Sequence, residues 1–297
     1  MPRLDQFTCR ADSGECDPLR NGLPLRSDVR FWHKADIPRR AINVRFGGKA
    51  DISGRATVEL QLEARGDPGV SEVHPYYESH RSEMEASMRM RLDLIDDLLQ
   101  QHLSLTDTAP VKSDMMQEFE VVLTQMPYVG GAESRMSDFF MRLLGFMAIG
   151  RVLQRRGVPK DVIAELELES FKRHMLTVSE VERLEAGRKF MSDDSKALIR
   201  EQAARSHEQK YQGDFVYDYV EPGPNDTFEF GVNYRACGFC KFAAKHGDRE
   251  ILPNICGLDF AAYDLRGIHL ERTQTLAQGA SYCNFRFSRK PALKSEG

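Results

Sequence analysis

The apolar positions in the middle of the chain recur at helical spacing from about residue 76 onward. One stripe consists of Met84, Met88, Leu92, Ile95, Leu98 and Leu99. Side chains three and four residues apart lie on the same face of a helix, so this spacing predicts a helix with one buried side. Such a stripe is more typical of a core than of a cofactor site. Residues 69–212 are therefore predicted to be mainly helical.

Capping residues and glycines divide this helical region into segments. Ser137 opens a segment whose end is marked by Gly157. Thr177 and Glu180 have the spacing of a capping box, which predicts that another helix follows. Asp193 begins the last helix of the region.

Alternation of apolar and polar residues, which is typical of strands, replaces the helical spacing after residue 212. It is found in four segments: 215–219, 228–234, 268–273 and 282–287. The first two are separated by a turn-rich linker and are predicted to form an antiparallel hairpin. Pro253 is placed as the first residue of a helix between the second and third segments. The predicted fold class is α+β: a helical N-terminal half packs on a C-terminal antiparallel-sheet module with helices, residues 213–290.

The first 68 residues show neither the helical spacing nor the strand alternation of apolar residues. Residues 29–37 and 44–52 are near copies that match at seven of nine positions. Two short copies cannot build the continuous core of a repeat fold, which needs about three or more repeats. Residues 1–68 are predicted to be a disordered extension, or a segment included by a start codon assigned too far upstream. A genuine tail with a small excess of basic residues is the alternative.

Composition narrows the possible partners. The chain has 297 residues and a net charge of -4, which argues against a general nucleic-acid binder because that function needs a basic face. The most apolar stretch, 139–153, contains Arg142 and Arg151 and is too short to span a bilayer. The N-terminus has no basic segment followed by an apolar run, so no secretory signal is predicted. We therefore expect a cytoplasmic protein with reduced thiols, and neither a nucleic-acid nor a membrane partner.

Four of the six cysteines lie between residues 237 and 283, together with candidate acid and base groups. A helix that starts at Pro253 places Cys256 in its first turn, where free backbone amides favour a thiolate and lower the thiol pKa. Asp259, three residues on, lies on the same face and could exchange a proton with a group attacked by the sulfur. Its carboxylate opposes thiolate formation, so a cation must compensate. Arg272 is the candidate cation, and it could also hold a substrate carboxylate.

Two other interpretations of the cysteines remain open. Cys256 could be a packed thiol, with Asp259 a surface acid. The pattern Cys237-x2-Cys240-x15-Cys256-x2-Asp259 also differs from a four-cysteine zinc ribbon only in its last ligand, with glycines placed for tight knuckle turns. A helix at Pro253 opposes the zinc site, and Cys283 lies outside its spacing. A redox centre at Cys237 and Cys240 lacks the expected βαβ context. We therefore predict no cofactor, with zinc as the alternative.

The spacing of these residues continues into a longer pattern. It comprises residues 233–237, then Cys256-x-x-Asp259, then Arg272-Thr273-x-Thr275-Leu276-Ala277-x-Gly279-x-x-x-Cys283-x-Phe285-x-Phe287. Here the sequence resembles the L-2-amino-thiazoline-4-carboxylic acid hydrolase family. The resemblance is densest over the last 65 residues and diffuse from about Met115. Acidic residues are frequent in the family where this chain has Ala280 and Asn284, a difference that bears on the substrate.

The resemblance implies a hydrolase that opens a small cyclic amidine bearing a carboxylate by cleaving a carbon–nitrogen bond other than a peptide bond. We assign roles on that basis. Cys256 attacks the amidine carbon while Asp259 relays the proton. Direct attack by a water held by Asp259 is an equally simple route. The remaining candidates line the site (Cys237, Cys283) or bind the substrate (Arg272, Thr273, Thr275, Asn233).

Two other classes of function stay open at this point. A non-catalytic small-molecule-binding module would be stabilised by a ligand without turnover. A zinc-stabilised interaction domain would contain stoichiometric metal and unfold with a chelator. The pattern carries no prediction of oligomeric state.

Overall fold

The computed structural model describes residues 72–290. Eight of its helices precede the sheet: α1 (Pro75–Glu78), α2 (Arg81–Leu94), α3 (Asp96–Leu103), α4 (Ala109–Gln125), α5 (Arg135–Arg155), α6 (Lys160–Leu176), α7 (Glu180–Phe190) and α8 (Asp193–Ser206). The stripe predicted from residue 84 onward is buried except for the half-buried Leu98, so the predicted helical region is confirmed. The predicted extension, residues 1–68, lies outside the described residues.

Two helix starts differ from their predicted positions. Helix α5 is capped by Ser134, whose hydroxyl accepts a hydrogen bond from the amide of Met136, whereas Ser137 is buried inside the helix. Helix α7 has its capping box at Ser179 and Glu182, two residues beyond the predicted pair. In both cases several residues that can cap lie close together, and the start is decided by which residues pack against the core. The break at Gly157, which has a positive φ of 73°, is confirmed.

The C-terminal part is a four-stranded antiparallel sheet with two helices. Its strands are β1 (Val216–Val220), β2 (Phe230–Ala236), β3 (Ile268–Glu271) and β4 (Cys283–Arg289), in the order β1-β2-β4-β3. Between β2 and β3 the chain forms α9 (Gly238–His246) and α10 (Leu252–Asp264). The predicted α+β class and the predicted hairpin are confirmed. One apolar core runs through the helices and the sheet; the domain boundaries near residues 69 and 213 stay a prediction.

The register of the sheet separates its two faces. Tyr217 lies opposite Tyr234, and Tyr234 lies opposite Cys283 across the next pair of strands. Since side chains alternate along a strand, these three residues share one face. Asn233 and its partner Asn284 belong to the other face. Helix α10 packs against β3 on one side and α6 on the other, so its residues lie between the helices and the strands.

Two features hold α9 and α10 in place. Gly238 begins α9 so close to the backbone that a Cβ would lie 2.3 Å from the carbonyl oxygen of Gly213. Arg151 of α5 donates to both carboxylate oxygens of Asp248, at 2.8 and 2.6 Å, and Asp248 lies in the loop before α10. No helix among residues 72–290 has the length and apolar character needed to cross a membrane.

Candidate active site

Helix α10 presents two candidate residues and a tyrosine on one face. Cys256, Asp259 and Tyr263 are spaced three and four residues apart, so their side chains point the same way. The helix begins at Leu252, one residue before Pro253. Cys256 is therefore its fifth residue and lies beyond the first four amides, which have no partner within the helix. The prediction that Cys256 lies in the first turn is wrong.

Arg272 joins this face from the end of β3. Its Nη1 donates to Oδ2 of Asp259 at 2.6 Å, and its Nη2 donates to the carbonyl oxygen of Cys256 at 2.8 Å. The guanidinium also lies between the rings of Phe260 and Phe285, at 4.8 and 5.0 Å from their centroids. The Arg272 side chain is only 5% exposed and both of its terminal nitrogens are engaged, so its charge is directed at Asp259.

Burial dominates the protonation of this pair. It raises the pKa of Asp259 to about 6, although the charge and hydrogen bond of Arg272 act to lower it. Burial also raises the pKa of the Cys256 thiol, and the nearby Asp259 carboxylate raises it further. The expected lowering of the Cys256 pKa is therefore wrong, because burial and the neighbouring Asp259 carboxylate both raise it and the thiol lies beyond the free amides of the helix start. At rest, Cys256 is a neutral thiol.

The other three thiols lie around Cys256. Cys237 precedes α9 and Cys240 lies within its first turn; the two share a hydrogen bond that raises the pKa of Cys237 and lowers that of Cys240. Cys283, in β4, accepts a hydrogen bond from the amide of Leu276 at 3.2 Å. Cys240 and Cys283 both act electrostatically on Cys256. The fold therefore brings together the four predicted cysteines, Asp259 and Arg272.

This arrangement does not reproduce a zinc ribbon. Gly238 and Gly257, which the zinc alternative placed in knuckle turns, lie in α9 and α10 instead. In the part of the chain that the structure describes, no group of three or more His, Cys, Asp or Glu side chains is arranged to hold a metal ion.

A comparison with known protein families finds a match for the region that contains this cluster. Residues 155–287 match the model of the L-2-amino-thiazoline-4-carboxylic acid hydrolase family. The match runs from the end of α5 into β4 and includes both helices of the sheet module. The family predicted from the sequence is confirmed over these residues. No curated protein and no solved structure matches the chain.

Within the region matched by the hydrolase family, three predicted binding residues are used by the protein itself. Asn233 accepts a hydrogen bond from Arg286 at 2.9 Å on the sheet face that is turned away from Cys283. Thr273 is exposed and exchanges hydrogen bonds with the side chain of Asn284. Thr275 is buried and caps the turn that follows it. Their contact with substrate stays a prediction.

Several residues near the cluster were not singled out in the sequence. Tyr217 and Tyr234 share the inward sheet face with Cys283, and Tyr263 lies one turn beyond Asp259. Arg135, from α5, acts electrostatically on all three tyrosines. The strand alternation contained the signal for Tyr217 and Tyr234, but it is equally typical of core residues. Arg135 lies outside the family match, and nothing near it in the sequence marks it.

Proposed function

We propose that this protein hydrolyses a small cyclic amidine that carries a carboxylate, of the 2-amino-thiazoline-4-carboxylate type, and that Asp259 is its general base. The family match supports the reaction class. The observation that carries the assignment is the one-sided ion pair: Arg272 donates to Oδ2 of Asp259, while no described residue donates to Oδ1. With 28% of its side chain exposed, Asp259 can meet a substrate or a water.

The pKa of Asp259 suits proton transfer near neutral pH. At about 6 it leaves the carboxylate mostly ionised at pH 7, yet basic enough to accept a proton during the reaction. The buried Arg272 keeps this carboxylate in place and balances its charge. A positioned base of this kind contributes about 10² to 10⁴ in rate.

Two routes to ring opening use the same base. In the covalent route, Asp259 removes the proton of the Cys256 thiol as the sulfur bonds to the amidine carbon; the ring carbon–nitrogen bond breaks, and the nitrogen takes that proton. Water then adds to the same carbon and releases the thiol. In the direct route, Asp259 deprotonates a water that adds to the amidine carbon, and the ring nitrogen leaves. The raised pKa of Cys256 makes the covalent route depend on Asp259. The direct route depends on Asp259 because the carboxylate takes the proton of the attacking water.

The first prediction concerns Asp259. Asp259→Asn should lower kcat/KM on L-2-amino-thiazoline-4-carboxylate by about 10²- to 10⁴-fold, because the amide keeps the shape but cannot accept the proton. In the wild type, kcat/KM should rise as the pH rises through about 6, as the carboxylate forms. The matched control is Asp264→Asn, which changes an exposed acid of the same helix that pairs with Lys290. Equal activity of Asp259→Asn and wild type would remove Asp259 from the mechanism.

The second prediction separates the two routes. If Cys256 is the nucleophile, Cys256→Ser should nearly abolish turnover while the fold and ligand binding persist, because serine is far less readily activated. Full turnover by Cys256→Ser would assign the attack to water. Product analysis tests the bond that breaks: carbon–nitrogen cleavage leaves the substrate sulfur carbamoylated, whereas a free thiol in the product would show carbon–sulfur cleavage instead.

The same purified protein tests the other classes of function. Stabilisation by the thiazoline acid without turnover would indicate a binding module. About one zinc per chain, with unfolding when a chelator is added, would indicate a metal-stabilised interaction domain. Metal content should therefore be measured on the sample used for the turnover assay.

A further inference from the structure

Arg135 forms no ion pair among the described residues, although Asp138, three residues on in α5, acts on it electrostatically. It is the first residue of α5, and its guanidinium lies 5.6 Å from the centroid of the Phe139 ring. Across residues 72–290, no carboxylate lies within ion-pair distance of Arg135 and no group accepts a hydrogen bond from its guanidinium. This contrasts with Arg151 and Arg272, whose charges are paired. A guanidinium held by the fold without an ion pair is suited to bind an anion from solution.

Three tyrosines surround this cation. The rings of Tyr217 and Tyr234 lie 5.1 Å apart on the inward face of the sheet. Tyr263 is on the α10 face that also carries Asp259. None of the three hydroxyls has a hydrogen-bond partner among the described residues, and none is sealed from solvent. They are hydrogen-bond donors that remain available to a ligand.

The four residues occupy one site. Arg135 interacts electrostatically with Tyr234, Tyr217 and Tyr263, and also with Asp138. Tyr234 and Tyr263 also interact electrostatically with Asp259. The cation and the proposed base are therefore linked through the same two tyrosines.

A pocket and a row of rings connect this site with the outside and with Arg272. Arg135 and Tyr217 line a surface pocket together with Tyr211 and Arg205 and with three acids, Glu133, Glu208 and Asp214. From Tyr217 the row continues through Tyr234 to Phe285, with the Tyr234 and Phe285 centroids 5.3 Å apart. Arg272 lies over Phe285. A flat ring with an acidic substituent could pack against such a row of aromatic rings and place its carboxylate at the cation.

We propose that Arg135 binds the carboxylate of the substrate, with the hydroxyls of Tyr217, Tyr234 and Tyr263 as further donors. This inference rests on the proposed function for the identity of the substrate and assigns the carboxylate to a residue outside the family match. On this proposal one arginine binds the substrate and another positions the base. Both hydrogen bonds of Arg272 can then go to Asp259 and the carbonyl of Cys256.

The test compares ligands with and without the carboxylate. Binding of L-2-amino-thiazoline-4-carboxylate, its decarboxylated analogue 2-amino-thiazoline, and L-thiazolidine-4-carboxylate is measured by calorimetry on the full chain. Arg135→Gln should weaken binding of both acids by about 10- to 100-fold, the range expected for a lost charge-assisted hydrogen bond. Binding of 2-amino-thiazoline should be unchanged. Tyr234→Phe, which removes only a hydroxyl, should show a smaller loss with the same selectivity.

Arg188→Gln is the matched control, because Arg188 is an exposed arginine of α7 that pairs with Glu185 and does not line this pocket. It should leave the binding of all three ligands unchanged. If Arg135→Gln fails to fold, the comparison rests on Arg135→Lys, which keeps the charge but loses the planar fork, and on Tyr234→Phe. The proposal would be overturned if these variants prefer the acid over its decarboxylated analogue by the same ratio of Kd values as the wild type.

The outcome is independent of turnover. Arg135-dependent binding of the acids without hydrolysis would support the carboxylate site and contradict the proposed function. Hydrolysis with an unchanged KM in Arg135→Gln would support the function and overturn the site. Failure of every acid to bind the wild type would also overturn it.

Discussion

The protein contains two buried arginine–aspartate pairs that are built differently. Arg151 uses two nitrogens on the two oxygens of Asp248 and a third on Glu118, 3.0 Å away. Arg155 also contacts Glu118, at 2.7 Å, so the two carboxylates face two arginines. Arg272 contacts a single oxygen of Asp259 and gives its second hydrogen bond to a backbone carbonyl. The first pair joins α5 to the loop before α10. The second lies on α10, among the thiols.

The difference separates a structural pair from a chemical one. A buried ion pair contributes to stability only when its hydrogen bonds offset the loss of hydration. Arg151 and Asp248 meet that condition, and they fix the loop from which α10 starts. Asp259 does not, and its pKa is raised to about 6 in spite of its cation. The molecule thus keeps one carboxylate poorly satisfied at the place where proton transfer is proposed.

The largest effect is expected from breaking the structural pair. Asp248→Ala should lower the free energy of unfolding by about 3–5 kcal/mol, because it leaves the Arg151 charge buried with only Glu118 as a partner. Urea unfolding measures this. Asp114→Ala is the control: it removes a surface pair with Arg156 and should cost at most about 1 kcal/mol. If both substitutions cost the same, the Arg151 pair is not the structural anchor described above.

The comparison also explains what could be predicted from the sequence. The shared face of Cys256 and Asp259 is local geometry, and three-residue spacing is enough to predict it. Arg272 was the candidate cation because it belongs to the longer motif, and it contacts Asp259 although Arg266 lies nearer in the sequence. Arg151 and Asp248, 97 residues apart, carry no such pattern, since their contact depends on how α5 meets the loop before α10.

The differences between sequence and structure at the site also come from tertiary contacts. The protonation of Cys256 was predicted from its position in a helix alone, but burial by other elements outweighs a helix terminus that begins one residue earlier than expected. Asn233 belongs to the same motif as Cys283 but lies on the opposite sheet face, and its contact with substrate stays a prediction. Arg135 reaches the site only through tertiary packing. The motif therefore located the helix that contains Cys256 and Asp259. It was a poorer guide to the side chains that surround them.

The smaller expected effect is on stability, and it sharpens the contrast between the two carboxylates. The folded-state pKa of Asp259 is raised from 3.8 to about 6, so the folded protein favours the protonated form. The stability that this preference provides is present below about pH 4 and is lost as the pH rises through about 6. Above that pH, the ionised Asp259 destabilises the fold relative to a neutral side chain of the same shape.

Asp259→Asn should therefore gain stability relative to the wild type as the pH is raised from 4 to 8. A shift of two pKa units corresponds to a change of at most about 3 kcal/mol in the difference between the two proteins. Urea unfolding of both proteins at each pH measures this difference, and Asp264→Asn corrects for the loss of one negative charge. A difference that instead moves in favour of the wild type over this range would mean that Arg272 stabilises the Asp259 carboxylate fully, and the two pairs would then be alike.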